Sequence, residues 1–275
     1  MEIHVINLDR DVEKWKLFNQ QIKSDDLKFT RFKAIDGNHR LDTIKVSKMC
    51  DDLICNTGVI GCAQSHISLW KQLVNSNQPY FIIFEDDAKF NVKELTKVLE
   101  SVDKFIKENK GDFIISLMCI GPFCNVGDKT NIGKYTAISS IFPLCTTAYI
   151  ITKGAAEYLL SVMNNTVSYH IDFEIAKHVL LNDKIKYLVI TPNIVTTQEV
   201  ESSIGSCKKN SIVFGWSKRM MWYCNIPLWK YGNLYFTFLL LLLILLTIIF
   251  TCRRKIIYIF CIIFILLELL IFSLT

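Results

Sequence analysis

Tyr80-Phe81-Ile82-Ile83-Phe84-Glu85-Asp86-Asp87 decides the fold. Five apolar residues in a row, then three acids, describe a strand buried on both faces that runs out into polar surroundings. Upstream, Gly58 to Val74 has Ile67, Trp70, Leu73 and Val74 on one helical face, and Phe29 to Ile35 reads as a strand closed by the turn Asp36-Gly37-Asn38. Further back, His4 to Leu8 is a short buried strand, and Asp11 to Gln21 repeats Val12, Trp15 and Phe18 at helical spacing. Downstream, helices are predicted over Leu95 to Lys107, Lys153 to Met163 and Ile171 to Leu181. Strands are predicted over Asp112 to Leu117, Thr147 to Ile151 and Tyr187 to Ile190, and Cys119 to Lys134 reads as a loop. Strands alternating with helices give an α/β class with a mixed, largely parallel sheet.

Composition separates this domain from its tail. The 275 residues are 51% hydrophobic and 21% charged, which excludes a wholly disordered or fibrous chain and argues against a purely soluble one. The apolar excess lies in residues 234–275. Leu234 to Cys252 is uncharged, and as a helix its 19 residues reach about 28 Å, near the roughly 30 Å hydrocarbon core. Trp222, Tyr223, Trp229, Tyr231 and Tyr235 crowd its front edge like an interfacial belt. After Arg253-Arg254-Lys255, a second apolar run over 256–273 contains only Glu268, so a C-terminal transmembrane helix or helical hairpin is expected. The expected organisation is a catalytic domain over 1–205, a juxtamembrane segment over 206–233 and a membrane region over 234–275. The charges around the first span conflict over orientation. The start of the chain shows no cleavable secretory signal, which favours a membrane protein with its main domain in the cytosol. The ten cysteines suggest neither a zinc site nor a clear disulfide framework. A net charge of +5 without a Lys/Arg stripe gives no reason to expect a nucleic-acid partner.

The chemistry concentrates at Glu85-Asp86-Asp87. Ligands of α/β sheets bind beyond the carboxyl ends of strands. If the strand geometry persists, Glu85 and Asp87 share a side and Asp86 takes the other. Clustered carboxylates repel unless a divalent cation sits between them, and oxygen ligands suit Mg²⁺ or Mn²⁺. A solvated turn is the competing reading. Asp172 and Glu174, flanking Phe173, form a second acidic pair in which one carboxylate is a candidate general base. His66 alone reads as a structural residue. No dinucleotide fingerprint, phosphate-binding loop or serine-hydrolase motif is present.

Taken in order, Val5–Arg10, Arg31–Gly37, Gly61–Trp70 and Phe81–Asp87 resemble glycosyltransferase family 25, with Thr147–Ala156 and Ile171–Phe173 similar to its later segments. The resemblance covers roughly residues 2 to 200. It implies a GT-A fold, a divalent cation, a nucleotide-sugar donor (most often UDP-galactose) and inversion at the sugar carbon. The acceptor would be a glycan, glycolipid or glycoprotein. By position, the resemblance assigns Glu85 and Asp87 to the metal. It assigns Asn7, Asp9, Arg10, Asp36, Gly37, His66 and Asp86 to the substrate; inversion also needs a base for the acceptor hydroxyl, for which Asp172 or Glu174 is the candidate. A non-catalytic binding module that keeps the fold is the alternative.

Overall fold

The computed structural model describes residues 1–22, 27–48, 50–51, 55–120, 124–125, 127–140, 143–180, 182, 184–198, 227–231 and 234–252. Two units are distinguished, Met1–Lys209 and Asn210–Thr275.

The first unit is built on strands β1 (Glu2–Asn7), β2 (Lys28–Lys33), β3 (Lys45–Val46), β4 (Tyr80–Glu85), β5 (Ala88–Phe90) and β6 (Asp112–Ser116). After these come β7 (Gly127–Ile132), β8 (Tyr135–Ser140), β9 (Ala148–Thr152), β10 (Thr166–Val167), β11 (Ile185–Thr191) and β12 (Val195–Thr197). Its helices are α1 (Val12–Asn19), α2 (Thr57–Asn75), α3 (Val92–Glu108), α4 (Lys153–Met163) and α5 (Ile171–Leu180). Eight strands form the main sheet in the order β2-β1-β4-β9-β6-β11-β8-β7.

The decisive strand is central, as its apolar run requires. Ile82 and Phe84 face one core with Phe18 of α1 and Leu95, Val98 and Leu99 of α3. Phe81 and Ile83 face the other with Trp70 and Leu73 of α2, Leu159 of α4 and Ile175 of α5. Each such side chain fully removed from water contributes about 1.5–3 kcal/mol.

The sheet is mixed but not largely parallel. The β1–β2, β1–β4 and β6–β11 pairs are parallel. The β4–β9, β6–β9, β8–β11 and β7–β8 pairs are antiparallel. Two local features account for the difference. β9 inserts reversed between β4 and β6, and part of the expected Cys119–Lys134 loop is instead a hairpin strand, β7. β7 turns through Gly133 at φ 60° into β8, a strand the hydrophobic pattern did not mark.

α2 carries the wall of the site. Its N-cap, Asn56, accepts from Val59 N at 2.8 Å. Replacing Asn56 by Ala is expected to cost about 1 kcal/mol, read as a lowered denaturant midpoint with an unchanged slope. Glycines bring the 34–37 loop against this helix. A Cβ on Gly61 would stand 2.4 Å from Ile35 O, and one on Gly37 would stand 1.6 Å from Thr57 O. Ile35 N also donates to Ser65 Oγ at 2.9 Å.

Among the described residues two disulfides, Cys50–Cys55 and Cys119–Cys124, each close a five-residue separation, where the cysteine spacing suggests no framework. Cys62 and Cys145 are free thiols.

In the second unit, β13 (Pro227–Tyr231) pairs antiparallel with β14 (Leu234–Thr237), followed by α6 (Phe238–Cys252). The expected span over Leu234–Cys252 is thus corrected at its front, where four residues are strand. Aromatic and β-branched residues such as Tyr235, Phe236 and Thr237 favour extended backbone. The remaining 15-residue helix reaches about 22 Å. Among the described residues no helix is long and apolar enough to cross a membrane. The expected second run over 256–273 and most of the 206–233 segment lie outside the described residues.

Candidate active site

A cleft opens at the carboxyl ends of β1 and β4. Its lining includes Ile6, Arg10, Asp11 and Lys14 from the first strand and helix, Ala34, Ile35 and Gly37 from the loop, Gly58, Cys62 and Ser65 from α2, and Glu85, Asp86 and Asp87. Glu85, the last residue of β4, and Asp86, in the turn after it, point to opposite sides. Asp86 Oδ2 accepts from Asn7 Nδ2 at 2.6 Å on the α1 side. Glu85 points to the α2 side, where its Oε1 accepts from Thr146 Oγ1 at 2.7 Å and lies 3.4 Å from His66 Nε2.

Burial sets the electrostatics. It raises the Asp86 carboxyl to about 6 despite the Asn7 donor. It raises Asp87 further, to about 7, with the neighbouring Glu85 and Asp86 charges adding to it. Burial also disfavours the Glu85 charge, but the His66 ring and the Thr146 hydroxyl outweigh it and hold that carboxyl below the ordinary range. Asp87 Oδ1 is buried and has no hydrogen-bond partner among the described residues. A buried acceptor left unpaired costs about 1–3 kcal/mol, so this oxygen is open to a further partner.

A hydrogen-bond chain holds Glu85 from behind. Trp70 Nε1 donates to Tyr149 Oη at 2.9 Å, and that hydroxyl lies 2.9 Å from His66 Nδ1. With Trp70 as donor, the Tyr149 proton is directed at Nδ1, which leaves His66 Nε2–H to face Glu85. Tyr149→Phe would leave the buried indole N–H unpaired and release the ring. The expected loss is about 1–3 kcal/mol in thermal or denaturant unfolding.

The segment leading into the reversed strand β9 ties Asp172 to Glu85. Cys145 N donates to Asp172 Oδ2 at 3.2 Å, and the next residue, Thr146, is the Glu85 donor. His170 Nδ1 stands 2.8 Å from Asp172 Oδ1. Burial raises Asp172, but this pairing outweighs it and keeps the carboxyl below its ordinary value. The same pair raises His170 against the pull of burial. Glu174 goes elsewhere: it is 2% exposed and its Oε2 is 3.2 Å from His178 Nε2, one turn along α5. The two residues straddle a helix face, so only Asp172 turns toward Glu85.

The other sequence-derived residues divide. Arg10, Gly37 and Asp86 line the cleft. Asn7 is buried and braces it, accepting from Arg31 Nε at 2.7 Å through Oδ1. Asp36 is paired with Arg10, and Asp9 is paired with Arg31 and Lys33, each at 2.8 Å. Those pairs hold Asp9 below the usual carboxylate range, and it is not among the cleft-lining residues. His66 is fully buried behind Glu85. Lys14, Cys62, Thr146 and Tyr149 were not anticipated as site residues. Lys14 of α1 follows the N-cap Asp11 by three positions, a helical spacing that places both on the cleft side.

A mixed α/β sheet with partly buried carboxylates grouped at a strand end defines a candidate ligand-binding site. The chain belongs to glycosyltransferase family 25: the profile described as "Glycosyltransferase family 25 (LPS biosynthesis protein)" matches residues 1–175. It is 30% identical over 122 residues to the lipooligosaccharide biosynthesis protein lex-1 of Haemophilus influenzae, covering 42% of this chain and 40% of that one. It is 25% identical over 117 residues to procollagen galactosyltransferase 2 of Mus musculus, covering 38% of this chain and 19% of that one. The matches thus span less than half the length of these curated relatives. Among solved structures, a glycosyltransferase involved in glycosylation of the major capsid of PBCV-1 aligns with TM-score 0.39 and 13% identity, covering 68% of this chain and 80% of that one. S. aureus TarS in complex with UDP-GlcNAc aligns with TM-score 0.38 and 10% identity, covering 75% and 61%.

Proposed function

We propose that the protein is a metal-dependent glycosyltransferase that moves a hexose, with inversion, from a nucleotide sugar to a glycan, glycolipid or glycoprotein acceptor. UDP-galactose is the proposed donor, in line with the galactosyltransferase named among its relatives. The observation that carries the reading is the partly buried Glu85-Asp86-Asp87 cluster, with an Asp87 oxygen that has no partner among the described residues.

An all-oxygen set of this kind fits Mn²⁺ or Mg²⁺, with Glu85 and Asp87 as the holding residues. When bound, the cation supplies charge neutralisation for a leaving diphosphate. The chain's own groups do the rest. Arg10 and Lys14 bring positive charge to the cleft mouth, where a diphosphate would lie. Asn7 orients Asp86, and His66 with Thr146 orients Glu85. Asp172, kept ionised by His170, is the proposed base for the acceptor hydroxyl. Its lowered proton affinity means it is charged at neutral pH, as a base must be.

The exposed Leu240, Leu241, Leu243, Ile244 and Ile248 of α6 support attachment of the C-terminal unit to a membrane surface. A screen of nucleotide sugars with Mn²⁺, reading release of free nucleotide, tests the function. Turnover of UDP-galactose that chelation removes is expected. No turnover of any donor, with no thermal shift from UDP and Mn²⁺, would overturn the reading.

A further inference from the structure

The α2 side of the cleft holds side chains whose chemistry goes beyond an all-oxygen cation site. Cys62 and His66 stand one turn apart on α2, so they project from one face. Glu85 meets them from the end of β4. One ligand atom from each, sulfur, ring nitrogen and carboxylate oxygen, lies within 4.8 Å of the other two. Small rotamer adjustments bring such a set to the bond lengths of about 2.0–2.3 Å that zinc takes with nitrogen, oxygen and sulfur.

Supports behind two of these groups are already in place. His66 is fully buried, with Nδ1 against Tyr149 Oη. Glu85 Oε1 accepts from Thr146. Outer partners of this kind fix the orientation of metal-ligating side chains. Cys62 is a free thiol and lines the cleft, and three ligands leave one position of a tetrahedral site open.

We propose that Cys62, His66 and Glu85 form a site for a soft divalent cation, Zn²⁺ in particular. A sulfur–nitrogen–oxygen set with an open position suits zinc and is poorly matched to Mg²⁺. The protons balance simply. The Cys62 thiol gives its proton to solvent and binds as thiolate. The His66 ring stays neutral, with its proton moved from Nε2 to Nδ1; there Tyr149 Oη accepts it alongside the Trp70 N–H, and the Tyr149 hydroxyl proton, which had faced Nδ1, turns away from the ring. Because Glu85 also belongs to the proposed hard-cation set, zinc here would withhold it from Mn²⁺. The zinc site itself stands whether or not sugar transfer is the protein's activity.

Zinc and cobalt titrations of the full-length protein, with both disulfides formed, test this. In competition with a chromophoric chelator, wild type is expected to bind Zn²⁺ at least about tenfold more tightly than Cys62→Ser. Cobalt-loaded wild type should show a thiolate-to-cobalt charge-transfer band that Cys62→Ser lacks and Cys145→Ser keeps. His66→Gln should weaken binding similarly, and it serves as the test if Cys62→Ser does not fold. Equal zinc affinity and an unchanged cobalt spectrum in the folded Cys62 or His66 variant would overturn the site.

Discussion

Asp87→Asn is expected to lose sugar transfer by two to three powers of ten while making the domain more stable above neutral pH. The two effects share one cause. Burial and two neighbouring carboxylates raise Asp87 to about 7, so its charged form is held at a cost in the absence of a cation. In the unfolded chain the same group titrates near its ordinary value of 3.8. Between those values the folded state binds more protons than the unfolded state, so stability falls as pH rises through this window. Asparagine keeps the shape and removes the charge. The expected gain above neutral pH is on the order of 2 kcal/mol, allowing for the partial exposure of the side chain. The loss of transfer follows from weakened cation binding, which is worth several kcal/mol at a leaving diphosphate. Melting curves across pH, and turnover with Mn²⁺, measure the two halves. Equal turnover in variant and wild type would remove Asp87 from the metal set.

Trp70→Ala is expected to give the largest loss of stability, about 3–5 kcal/mol, or on the order of 10 °C in melting temperature. Trp70 is among the largest side chains with no exposure, packed in the core that α2 shares with α4 and α5. Its removal leaves a cavity and takes the donor from Tyr149 Oη, which in turn orients His66. Trp70→Phe separates the two contributions. It preserves most of the packing and should cost about 1–2 kcal/mol, chiefly through the hydroxyl left without its donor. If Trp70→Phe matched Trp70→Ala in its loss, the hydrogen bond rather than the packing would dominate.

Much of this architecture was legible in local patterns. Tyr80–Phe84 is apolar at every position because both of its faces are covered, and a five-residue run with no alternation has few other readings. The acids after it had to lie at a strand end. Strand direction was not legible, since Ala148–Thr152 reads alike in either orientation and its reversal depends on partners far away in the chain. Gly127–Ile132 was read as loop because its residues are polar. An exposed edge strand needs only its backbone hydrogen bonds.

In the site, the proximity of Asp172 to Glu85 runs through Cys145 and Thr146, neither of which carries a charge that would draw attention. Asp172 and Glu174 were equivalent on paper; helical geometry separates them, giving one to His170 and the other to His178. The cysteines mislead in a different way. Two pairs at a separation of five close small loops, whereas longer-range frameworks leave more regular spacing.

The reversal of β9 has a consequence for synthesis on the ribosome. A nascent chain that has emerged only to residue 140 holds β4 and β6, but the strand that separates and joins them has yet to appear. Phe81–Phe84 and Phe113–Ile115 then present unpaired apolar edges, the kind that join neighbouring chains. Truncated products ending before Thr152 should therefore accumulate as aggregates, whereas chains released beyond the end of β11 should not.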